Sequence, residues 1–180
     1  LVEKGEFGTA AAKIREANSL PAICGRVCPQ ESQCEETCNL KKATGVAVAI
    51  GNLERFVSDF ERREGGAAIP ALPPPTGHRV AVVGAGPAGL TVAGELARHG
   101  HRVTVFEALH EAGGVLIYGI PEFRLPKSIL VAEVAYLERL GVELRLNFIV
   151  GRTATIDDLR AEGYEAFFIG SGAGLPNFMK

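Results

Sequence analysis

The stretch Val80-Ala81-Val82-Val83-Gly84-Ala85-Gly86-Pro87-Ala88-Gly89-Leu90 decides how the other residues of this 180-residue chain are read. An apolar, β-branched run gives a short strand, and Gly-x-Gly-x-x-Gly follows it directly at the head of a helix. In that setting Gly84 allows the tight turn, Gly86 lets the backbone approach a pyrophosphate, and Gly89 lets the helix pack on the strand. Pro87 suits the first helical position, whose N–H is free anyway, and the helix N-terminus offers N–H groups and partial positive charge to phosphates. Ala93 and Gly100 fall where a small helix–sheet contact and a turn are needed. Arg102–Glu107 reads as the next strand and ends on a carboxylate near the roughly 20-residue offset at which an acid binds ribose hydroxyls. The bland alternative, a glycine turn that binds nothing, leaves the strand, helix and acid unexplained.

Working outward, the alternation continues. Pro126–Leu140 reads as a helix with Gly141 at its C′ position, and Val142, Leu144 and Leu146 alternate as a strand. Thr155-x-x-Asp158 resembles an N-cap pair for a short helix, and Ala166–Ile169 is a last buried strand. Such alternation builds an α/β sheet with parallel strands. An acidic ribose ligand disfavours a 2′-phosphate, and Gly113-Gly114 follow at a spacing associated with FAD domains, so FAD rather than NADPH is expected at this site.

Upstream the character changes. Residues 65–78, with Pro70, Pro73, Pro74 and Pro75, predict an extended linker, because proline fixes φ and removes a donor. Residues 1–64 read as helical: Ala10–Ala17 holds good helix formers, ended by Asn18 and Ser19 ahead of Pro21, and 47–63 place Val48, Leu53, Phe56, Val57 and Phe60 mostly at 3–4 spacing. All four cysteines fall within this part, as Cys24-x3-Cys28-x5-Cys34-x3-Cys38. Spacing of four places each pair one helical turn apart. Structural zinc favours C-x2-C knuckles, which are absent, whereas Cys-x3-Cys28-Pro29 matches the tail of a ferredoxin-type run that holds an iron–sulfur cluster.

Composition sets the outer bounds. Lys+Arg 19 against Asp+Glu 21 gives a charge of −2, with no basic run, which argues against a nucleic-acid binder. No apolar run approaches the roughly 18 residues of a membrane span, and no secretory leader is evident, so a cytoplasmic chain is expected. Leu1 is not an initiator Met, and nothing after Gly170 closes a fold, so the chain reads as a piece of a longer protein. His78, His99, His101 and His110 show no metal spacing, Arg62-Arg63 reads as a charged helix end, and Lys127 is expected to be solvated. Neither a hydrolytic constellation nor a pair of carboxylates placed for acid–base work is visible.

Four segments together resemble a known family: PAICGRVCPQESQCEETC (21–38), VAIGNLERF (48–56), VAVVGAGPAGL (80–90) and GGVLIYGIPEFRLPK (113–127). They are similar to the small flavin-containing subunit of NADPH-dependent glutamate synthase. They are equally similar to its relatives, the bifurcating ferredoxin:NADP oxidoreductase large subunit, sulfide dehydrogenase and the N-terminal region of dihydropyrimidine dehydrogenase. The resemblance implies an all-helical iron–sulfur (alpha-helical ferredoxin-like) domain over 1–64, the linker 65–78, and a Rossmann-like FAD domain over 79–180 that lacks an inserted NADPH domain and a closing strand.

It further implies an oxidoreductase in which electrons pass from NADPH through FAD to [4Fe-4S] clusters and a partner, either the large amidotransferase subunit or another electron-accepting subunit. Carried over by residue, Gly84, Gly86, Pro87, Ala88 and Gly89 would cradle the FAD phosphates, and Glu107 would bind the ribose. Gly114, Leu116, Arg124 and Leu125 would line the flavin site, Val150 would pack on adenine, and Ser171-Gly172 would pass the pyrophosphate. Cys24, Cys28, Cys34 and Cys38 would be cluster ligands, with Glu54 an oxygen ligand in place of Cys24 or simply a charge on the LERF helix. A second cysteine group expected upstream is not in this chain, and the nicotinamide site would lie after Lys180, so the segment alone is expected not to turn over NADPH. A rival of another class is a non-catalytic, zinc-stapled interaction module.

Overall fold

The computed structural model describes residues 1–173; the expected end of the second domain, 174–180, lies outside them. Packing divides the chain into two compact units, residues 1–68 with 121–133, and residues 69–120 with the segment from 134 onward.

The first unit is helical. Helix α1 (Phe7–Arg15) follows a short 3₁₀ turn, α2 (Pro21–Val27) starts on a proline at its first turn, α3 (Asn39–Thr44) ends on left-handed Gly45, and α4 (Ile50–Arg63) is the long member. Ala10, Ala11 and Val57 form the buried seam between α1 and α4, flanked by Val2 and Ile14. Phe7 adds edge contacts to Phe56 and Phe60, with centroids 5.0 and 5.3 Å apart. Phe56, Val57 and Phe60 are three of the residues whose 3–4 spacing suggested the α4 face, whereas Val48 lies before the helix and is exposed.

A buried ionic knot fastens the segment 121–133 to this unit. Arg15 donates through both terminal nitrogens to Glu133, each at 3.0 Å, and through Nε to Glu61 at 2.8 Å. Burial pushes the Glu133 carboxyl up, and Arg15 pulls it back by hydrogen bond and charge.

The second unit is a four-stranded, wholly parallel sheet: β1 (Arg79–Val83), β2 (Arg102–Phe106), β3 (Glu143–Arg145) and β4 (Ala166–Ile169), in the order β3-β2-β1-β4. Helix α5 (Pro87–Arg98) crosses from β1 to β2, α6 (Val115–Tyr118) is a single turn, α7 (Lys127–Arg139) precedes β3, and α8 (Ile156–Ala161) precedes β4. Ala81, Phe106, Leu159 and Tyr164 form one core cluster, with the Tyr164 hydroxyl donating to Thr104 at 3.0 Å.

Two expectations need correction. The third strand stops at Arg145, because Asn147 adopts φ 55°; the chain nevertheless stays tied alongside through Phe148 N–H to the Glu107 carbonyl at 2.8 Å. The run from Cys34 to Cys38 is a series of turns rather than a helical turn, with Cys38 outside α3 as its N-cap.

The Thr155–Asp158 pair is a reciprocal capping box on α8: Thr155 Oγ1 accepts from the Asp158 amide and Asp158 accepts from the Thr155 amide. Replacing Thr155→Ala is expected to cost about 1 kcal/mol, read as a lower urea midpoint with an unchanged slope.

Candidate functional site: a dinucleotide cradle and a cysteine cluster

Where β1 and β4 end, three glycine segments converge. Gly84 takes φ 99°, and a Cβ there would sit 2.5 Å from the Gly170 carbonyl oxygen and 3.3 Å from Ser171 Cα. A Cβ on Gly89 would lie 1.9 Å from the Gly84 carbonyl oxygen, which is the close helix–strand approach expected of that position. Gly114, at φ 54°, meets Gly86 so closely that a Cβ would be 3.0 Å from Gly86 Cα, while the Gly113 amide donates to the Ala85 carbonyl at 2.7 Å.

Gly86 is different. Its backbone is ordinary and extended (φ −74°, ψ −179°), and a Cβ there would touch nothing within 4 Å. No internal packing accounts for a glycine at this point. A ligand backbone passing close to the turn does. The adjoining α5, 12 residues long, starts at Pro87 with no acidic residue in its first turn, leaving its positive end for an anion.

Glu107 lies one residue past β2 and is buried, 7% exposed. Its Oε2 accepts the Ala85 amide at 2.7 Å and its Oε1 accepts the Leu109 amide at 2.9 Å. The predicted ribose ligand therefore also braces the phosphate turn, and each oxygen keeps further lone pairs for a hydroxyl.

Gly84, Gly86, Pro87, Ala88, Gly89, Glu107, Gly114, Ser171 and Gly172 are thus brought to one end of the sheet, or to the segments leading from it. Leu116 is buried in α6 of the same unit. Val150 is half-buried against the Phe106 cluster and bridges to Ala154. Arg124 and Leu125 belong to the first unit, where Leu125 is fully buried. Gly170 and the Ala85 amide are members of the cradle that the sequence reading did not single out; the glycine following an apolar strand was the available signal.

All four cysteines are free thiols, with Cys34 exposed and the others half-buried. Cys24 and Cys28 interact across one turn of α2, and Glu54 adds its charge to Cys24. Asn18, read from sequence only as a helix stop, ties this corner together: its Nδ2 donates to Glu54 at 2.7 Å and its Oδ1 lies 3.7 Å from Cys24 Sγ. Burial pushes the Cys24 thiol up to about 11. Burial likewise raises Glu54, against the Asn18 hydrogen bond.

Cys38 goes the other way, because the amides of Val48, Lys41 and Leu40 donate towards its sulfur and hold the thiol below its ordinary range. Among the described residues, no three Cys, His, Asp or Glu side chains are gathered closely enough to share one metal. The donor chemistry nonetheless suits an iron–sulfur group: thiols dominate, and amides stabilise a thiolate at Cys38. In metal-free chain at pH 7.5, iodoacetamide is expected to modify Cys38 well before Cys24, since the thiolate is the nucleophile. Peptide mass mapping over time checks the order, and raising the pH should speed Cys24 the more.

Residues 1–66 match the family model for dihydropyrimidine dehydrogenase domain II, 4Fe-4S cluster, and residues 82–123 match the NAD(P)-binding Rossmann-like domain. The glutamate synthase [NADPH] small chain of Escherichia coli (strain K12) is 41% identical over 96% of this chain and 36% of its own length. The chain is a homologue of the glutamate synthase small chain and its relatives. Another such relative is the NAD-dependent dihydropyrimidine dehydrogenase subunit PreT of the same strain, 43% identical over 96% of this chain and 42% of that protein. A third, UacF of that strain, is 45% identical over 96% of the chain and 27% of its own length. The chain therefore spans well under half of the curated relatives it matches. Among the described residues, no helix is long and apolar enough to cross a membrane.

Proposed function

We propose that this chain is the flavin- and cluster-bearing segment of an oxidoreductase subunit that takes electrons from NADPH and delivers them, through FAD and [4Fe-4S] clusters, to a partner. The observation that carries the reading is Gly86, a glycine with no internal reason to be one, at the centre of a cradle built from 84–89, 113–114 and 170–172. Residues 1–64 would hold the cluster ligands Cys24, Cys28, Cys34 and Cys38, with Glu54 as a candidate oxygen donor; 65–78 would be the tether, and 79–180 the FAD domain. Bound flavin converts a two-electron hydride into single electrons, and the protein supplies position and electrostatics. The chain's own part is to seat the pyrophosphate on the amides of the α5 N-terminus, to fix the ribose through Glu107, and to stabilise ligand thiolate at Cys38. The large amidotransferase subunit of a glutamate synthase is the proposed acceptor, and the nicotinamide site is assigned to polypeptide outside this segment.

The test is an anaerobic absorbance spectrum of the purified chain, with iron, acid-labile sulfide, zinc and flavin quantified on one sample. FAD with iron and sulfide is the expected result. Zinc without iron or flavin would overturn it in favour of the stapled interaction module.

A further inference from the structure

The first unit contains a polar cavity of about 250 Å³ whose lining includes Arg26, Arg55, Arg62, Arg124, Ser128 and Ile129. A water molecule takes about 30 Å³, so the space admits a polyatomic group. Its charge is unbalanced. Arg26 is buried and donates from Nη2 to both oxygens of Asp59, at 2.5 and 2.7 Å, and to the Ala22 carbonyl from Nη1. The same carboxylate is the ion-pair partner of Arg62 at 3.5 Å and of Arg55 at 3.9 Å. Arg124 has no ion pair among the described residues. Three guanidinium groups thus share one carboxylate, and Arg124 adds a fourth positive charge to the lining.

The first turn of α7, which supplies Ser128 and Ile129 to the lining, is already capped by Glu122, whose carboxylate accepts the Lys127 amide at 3.1 Å, so the arginines alone carry the excess positive charge.

We infer that this cavity is a binding site for a phosphate-class oxyanion carrying two or more negative charges. Arginine forks match the oxygens of phosphate in pairs. A single carboxylate would leave most of the excess charge in place, whereas a phosphate or pyrophosphate balances it. The source is either a free oxyanion or the phosphates of a nucleotide. The inference does not rest on the dinucleotide cradle, which belongs to the other unit.

The test is isothermal titration of the whole chain with inorganic pyrophosphate, at ionic strength fixed with KCl. One saturable site that depends on the arginines is expected, alongside any occupancy of the dinucleotide cradle. The double variant Arg55→Gln with Arg62→Gln should weaken it at least tenfold; both side chains are largely exposed, so the fold survives, which a melting curve verifies. The pair Lys13→Gln and Lys42→Gln, which removes equal charge elsewhere, should leave binding intact. Gly86→Val should leave it intact too, because it blocks only the cradle. Absence of a saturable site, loss of it in Gly86→Val, or indifference to the arginine changes would each overturn the inference. Repeating the titration with ADP in the Gly86→Val background separates the sources. Tighter, arginine-dependent binding of ADP assigns a nucleotide, and binding of pyrophosphate alone assigns a free oxyanion.

Discussion

Gly86→Val is expected to leave the chain folded but stripped of its flavin, whereas Gly89→Val is expected to unfold the second unit. The two glycines stand three residues apart in one turn, and the structure gives them opposite reasons to be glycine. At 89 any Cβ would lie 1.9 Å from a backbone carbonyl oxygen that β1 and α5 hold in place, so strand and helix would have to separate. Overpacking typically costs about 1–3 kcal/mol and occasionally more, and the upper end is expected here because the obstructing atom is backbone and cannot turn aside. At 86 a Cβ meets only open space. The internal cost of Gly86→Val is the loss of a tolerant N-cap, about 1 kcal/mol, while the isopropyl group occupies the path proposed for the pyrophosphate. Flavin content per chain and the melting temperature, measured on both variants, check this. Retention of stoichiometric FAD by Gly86→Val would remove the observation on which the proposed function rests.

The second large effect is expected at Arg15→Met, which should destabilise the first unit by about 3–5 kcal/mol, as stranding buried charge generally does. Arg15 is the cation for Glu61 and Glu133, and the Glu133 side chain is only 4% exposed. The sign of the pH dependence follows from Glu133, whose pKa is raised in the fold by burial. A carboxyl with a raised folded pKa binds its proton more tightly folded than unfolded, so its contribution is most favourable below the unfolded pKa and is lost as pH rises through the folded one. Without Arg15 the folded pKa climbs further and that loss steepens. The penalty of Arg15→Met should therefore be largest at pH 7–8 and shrink towards pH 5. Urea titrations of wild type and variant at those pH values supply the comparison, and a penalty independent of pH would mean that Glu133 is not the group left uncompensated.

Much of the second unit was legible because its signals are local. The bounds of α5 follow from Pro87 at the start and the turn at Gly100, and β4 is an uninterrupted apolar run between breakers. Gly141 takes φ 99°, as its place after the preceding helix requires. Less could be read where structure depends on distant partners. Helices α3 and α6, of six and four residues, carry too few positions for a period to show. Residues 121–133 join the first unit through Glu133 and Arg15, 118 positions apart, which no local pattern encodes. Asn18 looked like a terminator, and only folding brings it to Glu54 and Cys24. Cys34 to Cys38 has helical spacing without helical residues: Glu35, Glu36 and Thr37 supply no apolar face to bury, so the backbone turns instead.

The bracing of the phosphate turn by Glu107 bears on how quickly a nucleotide can be acquired. With one carboxylate oxygen on the Ala85 amide and the other on the Leu109 amide, the two loops at the end of the sheet are tied together by bonds within the chain. Loops fastened in this way lose little conformational entropy on association, so the affinity is expected to reside in contacts rather than in folding of the receptor. Such a site should fill by simple second-order kinetics, its rate proportional to ligand concentration with no slow isomerisation behind it. Cofactor retention would then be decided by how fast the ligand escapes, a property of the contacts themselves.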